Sequence, residues 1–301
     1  MEKAVVRGVT IAYETYGKPS REAILLIPGL GMEAFMWPRS LVDGLVEGGL
    51  FVVALDNRDC GESSSGPGKV SGAAVLSAIA RTLLRLPVRA PYGLEEMAGD
   101  AAGLASALGL SRYHVAGISM GGMIAQELAF ERPREVLSLA SISSAVGNPR
   151  TGLGKASAIL EVLRMRRLPE DDEAAVRQLG NFERALGSTA FLRTREECLG
   201  LVSRMRKCGV RPEGFRRQLA ALLKSGDRSR RVASIACPSL VIHGGADRLL
   251  PLAAGRETAH LIRGSELVEI PGLGHDLPPA LGARYAGLIL GNCRRTESRG
   301  P

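Results

Sequence analysis

A chain of 301 residues, 45% apolar and 23% charged, can bury one sizeable core, which excludes the fibrous and intrinsically unfolded classes. Its net charge of +8 is local: residues 150–231 hold 19 Lys+Arg against 10 Asp+Glu, and the rest of the chain 20 against 21. That basic stretch has few aromatics for base stacking and no nucleic-acid motif, so no nucleic-acid partner is expected. It reads as a solvated helix face, with attraction of anionic substrates as the alternative.

Residues 3–16 alternate apolar and polar around Gly8, the pattern of a β-hairpin, and residues 23–27 form a continuous apolar run, the pattern of a strand buried on both faces. Helical spacing near 37–48, a buried strand at 50–55, a loop opening at Ser63 and helical periodicity over 73–86 come next; the last is a candidate second wall for a site entrance. Helices near 94–108 and 119–131 then alternate with strands near 113–117 and 136–142. This rhythm predicts an α/β fold, a mainly parallel β-sheet flanked by helices. It breaks over 148–232, which is Arg-rich and helical, and resumes with strands at 239–243 and 267–270. The predicted organisation is a core of residues 1–147 and 233–293, an inserted helical cap of 148–232 and a frayed polar tail of 294–301.

No apolar run reaches the roughly 18 residues of a membrane helix and the N-terminus lacks a signal pattern, so no membrane insertion and a cytoplasmic location are expected. Five cysteines, odd in number and without C-x-x-C spacing, indicate neither a disulfide framework nor a zinc site. Oligomeric state leaves no mark in the sequence.

The most informative segment is Gly117-Ile118-Ser119-Met120-Gly121, which follows the predicted strand and opens the predicted helix. A sharp strand-to-helix turn of this kind holds a serine in a strained conformation with its Oγ exposed, and flanking glycines remove side chains that would clash. The alternative is that Ser119 merely caps the helix. As a nucleophile it would need a base and a third group to orient that base. Of the four histidines, His114 lies at the start of the elbow strand, at the end of the sheet opposite the serine, His243 ends a buried strand where a structural hydrogen bond is expected, and His260 sits on a helix. His275 lies in a loop just past the last strand, at the edge where an open α/β sheet binds ligands.

Asp247 follows the preceding strand through Gly244-Gly245-Ala246 and is the candidate orienting acid. Asp276 reads as a solvated loop residue; brought near the imidazole, its carboxylate would raise the histidine pKa. Asp56 and Asp59 read as braces of an earlier loop. Two N–H donors for an oxyanion are expected from Met120 and, in the loop Pro28-Gly29-Leu30-Gly31-Met32, from Leu30. That loop lacks the third glycine of a dinucleotide fingerprint, and no Walker or H-E-x-x-H motif occurs, so neither metal nor cofactor is expected.

In the order Ser119, Asp247, His275 these residues resemble the α/β-hydrolase superfamily. Asp56 to Ser63 resembles its D-x-R-x-x-G-x-S loop, Gly117 to Gly122 its G-x-S-M-G-G form, and Ile270 to Pro278 reads as I-P-G-x-G-H-x-L-P. Similar motifs occur together in capped bacterial serine esterases of the aclacinomycin-methylesterase type, and the likeness covers about residues 20–147 and 235–290. Pro28-Gly29 stands where many such proteins carry His-Gly.

The function expected is a serine carboxylesterase acting on small to medium esters through an acyl-enzyme. The same triad would also serve a methylesterase, lactonase, carbon–carbon hydrolase or perhydrolase, and a triad-retaining small-molecule receptor is the reading from another class. Substrate contacts are expected from Gly31, Met32, Phe35 and Trp37 near the loop and from Met165, Leu168 and Phe182 in the cap. Trp37, next to Pro38, also fits an anchor for the start of a helix.

Overall fold

A computed structural model describes residues 1–19, 21–164, 168–209 and 211–296. The N-terminal alternation becomes β1 (Glu2–Val6) and β2 (Val9–Tyr16), antiparallel, with Arg7 and Gly8 both at positive φ in the turn between them. The apolar runs become β3 (Ala23–Ile27), β4 (Phe51–Leu55), β5 (Tyr113–Ile118), β6 (Val136–Ile142), β7 (Ser239–Gly244) and β8 (Glu266–Ile270). They form one eight-stranded sheet in the order β1-β2-β4-β3-β5-β6-β7-β8, parallel from β4 onward, with β2 the antiparallel partner of β4.

Helices α1 (Arg39–Glu47) and α11 (Gly282–Arg294) cover one face, and α3 (Leu94–Ala107), α4 (Met120–Glu131) and α10 (Leu252–Leu261) the other. Strand β3 shows why its sequence is a continuous apolar run. Ile24 and Leu26 enter the core under α1 and α11, while Leu25 and Ile27 enter the core under α3 and α4. Each such side chain contributes about 1.5–3 kcal/mol by leaving water. The single helix α2 (Gly72–Leu83) stands apart from the sheet and packs on the later helix Pro212–Ser225.

Between β6 and β7 the chain leaves the sheet as α5 (Ala156–Arg164), α6 (Asp172–Leu186), α7 (Arg195–Cys208), α8 (Pro212–Ser225) and α9 (Ser229–Val232). Helix α9 packs on α4 and α10, so the helical layer of the sheet resumes a few residues before the predicted boundary at 233. The predicted tail starts inside α11, which runs through Arg294; residues 297–301 lie outside the described residues.

The basic face of this segment is not simply solvated, and here the sequence expectation is corrected. Arg217 is buried against Asp59, and Arg228 is buried while donating to Ala145 O at 2.6 Å and Met123 O at 3.2 Å. Arg211 reaches the carbonyls of Gly61 and Ser63, and Arg216 that of Val70 at 2.9 Å. These arginines fasten the inserted helices to loops of the sheet, because the planar guanidinium satisfies several carbonyl acceptors at once.

Candidate active site

At the end of β5 the backbone turns through Ser119, at φ 55 and ψ −121, into α4. Such a conformation is strained for a residue with a side chain and persists where the surroundings fix it. Here Ser119 N–H donates to Ile142 O at 2.9 Å, and Ser144 Oγ donates to the Ser119 carbonyl at 2.8 Å. A Cβ on Gly117 would lie 2.1 Å from Gly121 O, and one on Gly121 would lie 2.0 Å from Ile27 O, so neither position admits another residue. The Ser119 side chain makes no capping bond to α4, and the capping alternative falls away.

The structure brings Ser119, Asp247 and His275 together. His275 Nε2 is 2.9 Å from Ser119 Oγ, and His275 Nδ1 is 2.7 Å from Asp247 Oδ2. The other oxygen of Asp247 accepts the N–H groups of Leu249 and Leu250, both at 2.8 Å, which aims Oδ2 at the imidazole. The histidine loop is pinned from the inserted helices: His275 N–H donates to Leu186 O at 3.2 Å and Gly274 N–H to Ser188 Oγ at 2.8 Å. Burial pushes the His275 pKa down, but the Asp247 carboxylate, by charge and hydrogen bond, and then Asp276 push it up, and the balance lies above the ordinary histidine value. An arrangement of this kind can pass the Oγ proton to an imidazole whose tautomer is fixed by the acid.

The other histidines stand elsewhere. His114 meets Ser138 Oγ at 2.8 Å, His243 Nε2 meets Leu250 O at 2.8 Å, and His260 is in the last turn of α10. Asp276 corrects its sequence reading. Rather than facing solvent it is bonded by Ser188 Oγ, its Oδ2 is buried without a partner, and burial pushes its pKa up to about 6.

Leu30 lies in the loop after β3, and Met120 is the first residue of α4, whose N–H belongs to the donors a helix leaves unpaired. The loop is braced on several sides. Pro28 O accepts Asn57 Nδ2 at 2.8 Å, Met32 N–H donates to Gly29 O at 3.1 Å, and Gly31 N–H donates to Gln218 Oε1 at 2.9 Å. Asp56 and Asp59 do brace neighbouring segments: Asp56 Oδ1 accepts Ala34 N–H at 2.7 Å, and Asp59 binds Arg217 and Tyr92 Oη, the latter at 2.6 Å.

A cavity of about 430 Å³ opens on Ser119 and His275, in the size range of small-molecule sites. Its lining is largely aliphatic and aromatic side chains from α2, α6, α7 and α8. Of the predicted contacts, Gly31, Met32 and Phe182 line it, as does Leu30. Phe35, Trp37 and Leu168 do not, and these expectations are corrected. Trp37 is buried in the core under α1 and α11, where its anchoring alternative places it, and Phe35 lies under the Arg204 guanidinium. The cause is the 3₁₀ turn at Ala34–Met36, whose three-residue repeat sets Glu33 and Met36 toward the cavity and turns Phe35 and Trp37 elsewhere. Leu168 is half-buried outside the lining, and Met165 lies outside the described residues.

A sequence model of the alpha/beta hydrolase fold family matches residues 22–278. The chain is an α/β hydrolase. It is similar to rhodomycin D methylesterase DnrP of Streptomyces peucetius, 28% identical over 95% of both chains. Among solved structures, the enol-lactonase of Burkholderia xenovorans matches 99% of this chain and 100% of its own at a TM-score of 0.70 and 23% identity. A meta-cleavage product hydrolase of Pseudomonas fluorescens matches 98% of each chain at 0.75 and 17%. At these identities the structural likeness is one of fold.

Sequence reasoning missed Glu33 and Gln218 in this hydrolase, whereas the upward pull of Asp276 on the His275 pKa was expected and only its burial was not. Gln218 had a signal: it is a polar residue on the same helix face as Phe215, Leu219 and Leu222, all of which line the cavity. Glu33 had none, since a glutamate beside a glycine-rich loop is ordinarily exposed.

Proposed function

We propose that this α/β hydrolase is a serine carboxylesterase that cleaves small to medium esters with an apolar body, with Ser119 as nucleophile, His275 as acid and base, and Asp247 as its orienter. Hydrolase chemistry of the esterase type accords with the family and with the methylesterase relatives. The observation that carries the reading is the continuous run of hydrogen bonds from Asp247 Oδ2 through the His275 ring to Ser119 Oγ, at the floor of an apolar cavity.

Ser119 Oγ attacks the ester carbonyl carbon while its proton moves to His275 Nε2, and the oxyanion formed is held by the N–H groups of Leu30 and Met120. The tetrahedral species expels the alcohol, which takes the proton from Nε2 and leaves an acyl-enzyme. Water then attacks the acyl carbon, gives a proton to Nε2, and the Ser119 oxygen leaves with that proton as the carboxylic acid is released. The partner implied is a small-molecule ester, and no step calls for a metal or cofactor.

Intact mass after treatment with a fluorophosphonate tests the reading. One adduct on the wild type and none on Ser119→Ala, together with multiple turnovers on a simple ester, is the expected result. A folded wild type that takes no adduct and turns over no ester refutes it and favours a receptor.

A further inference from the structure

Most charged groups along the cavity are already engaged. Arg193 is paired with Glu183 and donates to Leu277 O at 3.0 Å, Arg211 holds the Gly61 and Ser63 carbonyls, and Asp59 is closed by Arg217 and Tyr92. Glu33 differs. It is only 7% exposed, it lines the cavity, and its Oε2 has no hydrogen-bond partner. The groups that act on it are the Cys208 thiol, which hydrogen-bonds the carboxyl, and Asp56, another anion; among the described residues Glu33 makes no ion pair. Nor does local structure need the carboxyl: Glu33 stands at the cap position of the turn Ala34–Met36 and makes no capping bond.

Burying a carboxyl without a counter-charge or a full set of hydrogen bonds costs several kcal/mol. Burial accordingly pushes the Glu33 pKa up to about 7. A second carboxyl with an open position, Asp276 through its Oδ2, lines the same cavity. So among the described residues the charged lining atoms that still lack a partner are carboxyl oxygens, although the chain is basic.

We propose that Glu33 is the polar anchor of the substrate pocket, and that the esters this enzyme takes carry a hydrogen-bond donor, a hydroxyl or an ammonium, on an otherwise apolar body. The proposal rests on the reading of this cavity as the ester site. It also runs against the alternative drawn from net charge, attraction of anionic substrates: a carboxylate on the substrate would meet an uncompensated carboxyl and be rejected. Glu33 accepts from either donor when ionised and can itself donate to a hydroxyl when protonated.

The test uses methyl esters from hexanoyl to decanoyl length that differ only at the far end, which is methyl, hydroxyl, amino or carboxyl. Binding to the Ser119→Ala chain, which cannot turn them over, is read from ligand-induced shifts in Tm at a pH above the Glu33 titration, with and without Glu33→Gln or Glu33→Leu. Hydroxyl- and amino-ended esters are expected to bind about tenfold tighter than the methyl-ended ester at the best length, and the carboxyl-ended ester at least about tenfold more weakly. Glu33→Gln is expected to keep the hydroxyl preference, lose the amino preference and relax the rejection of carboxylate, while Glu33→Leu favours the methyl-ended ester.

A wild-type ranking with no preference for donors at any length, no binding by any of these esters, or a ranking unchanged in both folded variants overturns the proposal. Fluorophosphonate labelling of the Ser119-containing chains separates the two readings. Labelled Ser119 with no dependence on Glu33 fails only the anchor, and unlabelled Ser119 with a Glu33-dependent ranking fails only the nucleophile.

Discussion

Gln218 joins the inserted helices to the loop proposed to hold the oxyanion. Fully buried on α8, it accepts from Gly31 N–H at 2.9 Å through Oε1 and donates from Nε2 to Arg58 O at 2.7 Å, while Phe215 one turn earlier packs over Gly31. Gln218→Met keeps the bulk and removes both bonds. The buried Arg58 carbonyl is left unpaired, at about 1–3 kcal/mol, and the more accessible Gly31 N–H loses about 1 kcal/mol, so the expected loss of stability is about 2–4 kcal/mol.

The effect on rate is separate. Losing an oxyanion donor outright costs about 10²–10³ in kcat, but here the loop keeps its bonds through Pro28 O and Ala34 N–H, so Leu30 N–H is loosened rather than removed. A fall in kcat of about 10–100-fold with KM within about threefold is expected, because the donor acts on charge that develops only in the transition state. Steady-state kinetics on a p-nitrophenyl ester, beside urea unfolding, measures both quantities. Gln218→Glu, which keeps an acceptor for Gly31 N–H, should recover part of the kcat lost in Gln218→Met when the two are compared at one pH where His275 is neutral. The reasoning is refuted if Gln218→Met loses the predicted stability while kcat stays within about twofold of wild type.

Asp247→Asn can still offer an oxygen to the Leu249 and Leu250 amides, but turns an N–H toward His275 Nδ1 and so imposes the wrong tautomer. A loss of about 10⁴ in kcat with the fold retained is expected, and a loss below about tenfold would remove Asp247 from its proposed role. Asp276 is one of the groups that raise the His275 pKa, and the proposed base is the neutral imidazole. Asp276→Asn should therefore move the acidic limb of the kcat/KM profile to lower pH, and an unmoved limb would show that the carboxylate does not act on the imidazole.

For Glu33 the folded pKa, about 7, lies above the ordinary value of 4.5, so the folded state holds the proton more tightly and stability falls as pH rises between the two. Glu33→Gln should be more stable than wild type by up to about 3 kcal/mol at pH 8 and no more stable near pH 4; a gain independent of pH would contradict this.

Much of the fold and of the candidate site was legible because it depends on local pattern. Continuous apolar runs such as Ala23–Ile27 reveal strands buried on both faces, and a serine between glycines at the strand-to-helix turn reveals itself through the steric demands of a few adjacent residues. That His275 and Asp247 meet was legible from chain order, since the C-terminal ends of parallel strands share one edge of the sheet. Nearness along the chain misled where a short turn intervened. Trp37 and Glu33 are four residues apart, yet one is in the core under α1 and the other faces the cavity.

By itself the sequence determined the α/β architecture, the inserted helical segment and which side chains can form a serine–histidine–acid relay. Only the tertiary structure decided what surrounds that relay. The docking of α6, α7 and α8 leaves the buried Glu33 Oε2 without a partner, sets Gln218 against the Gly31 amide, turns Asp276 inward and converts arginines expected in solvent into ties to the sheet domain. Strand and elbow signals arise from neighbours along the chain. Burial and partnership of a polar side chain depend on which faces meet across long loops, and an isolated sequence pattern carries no such pairing.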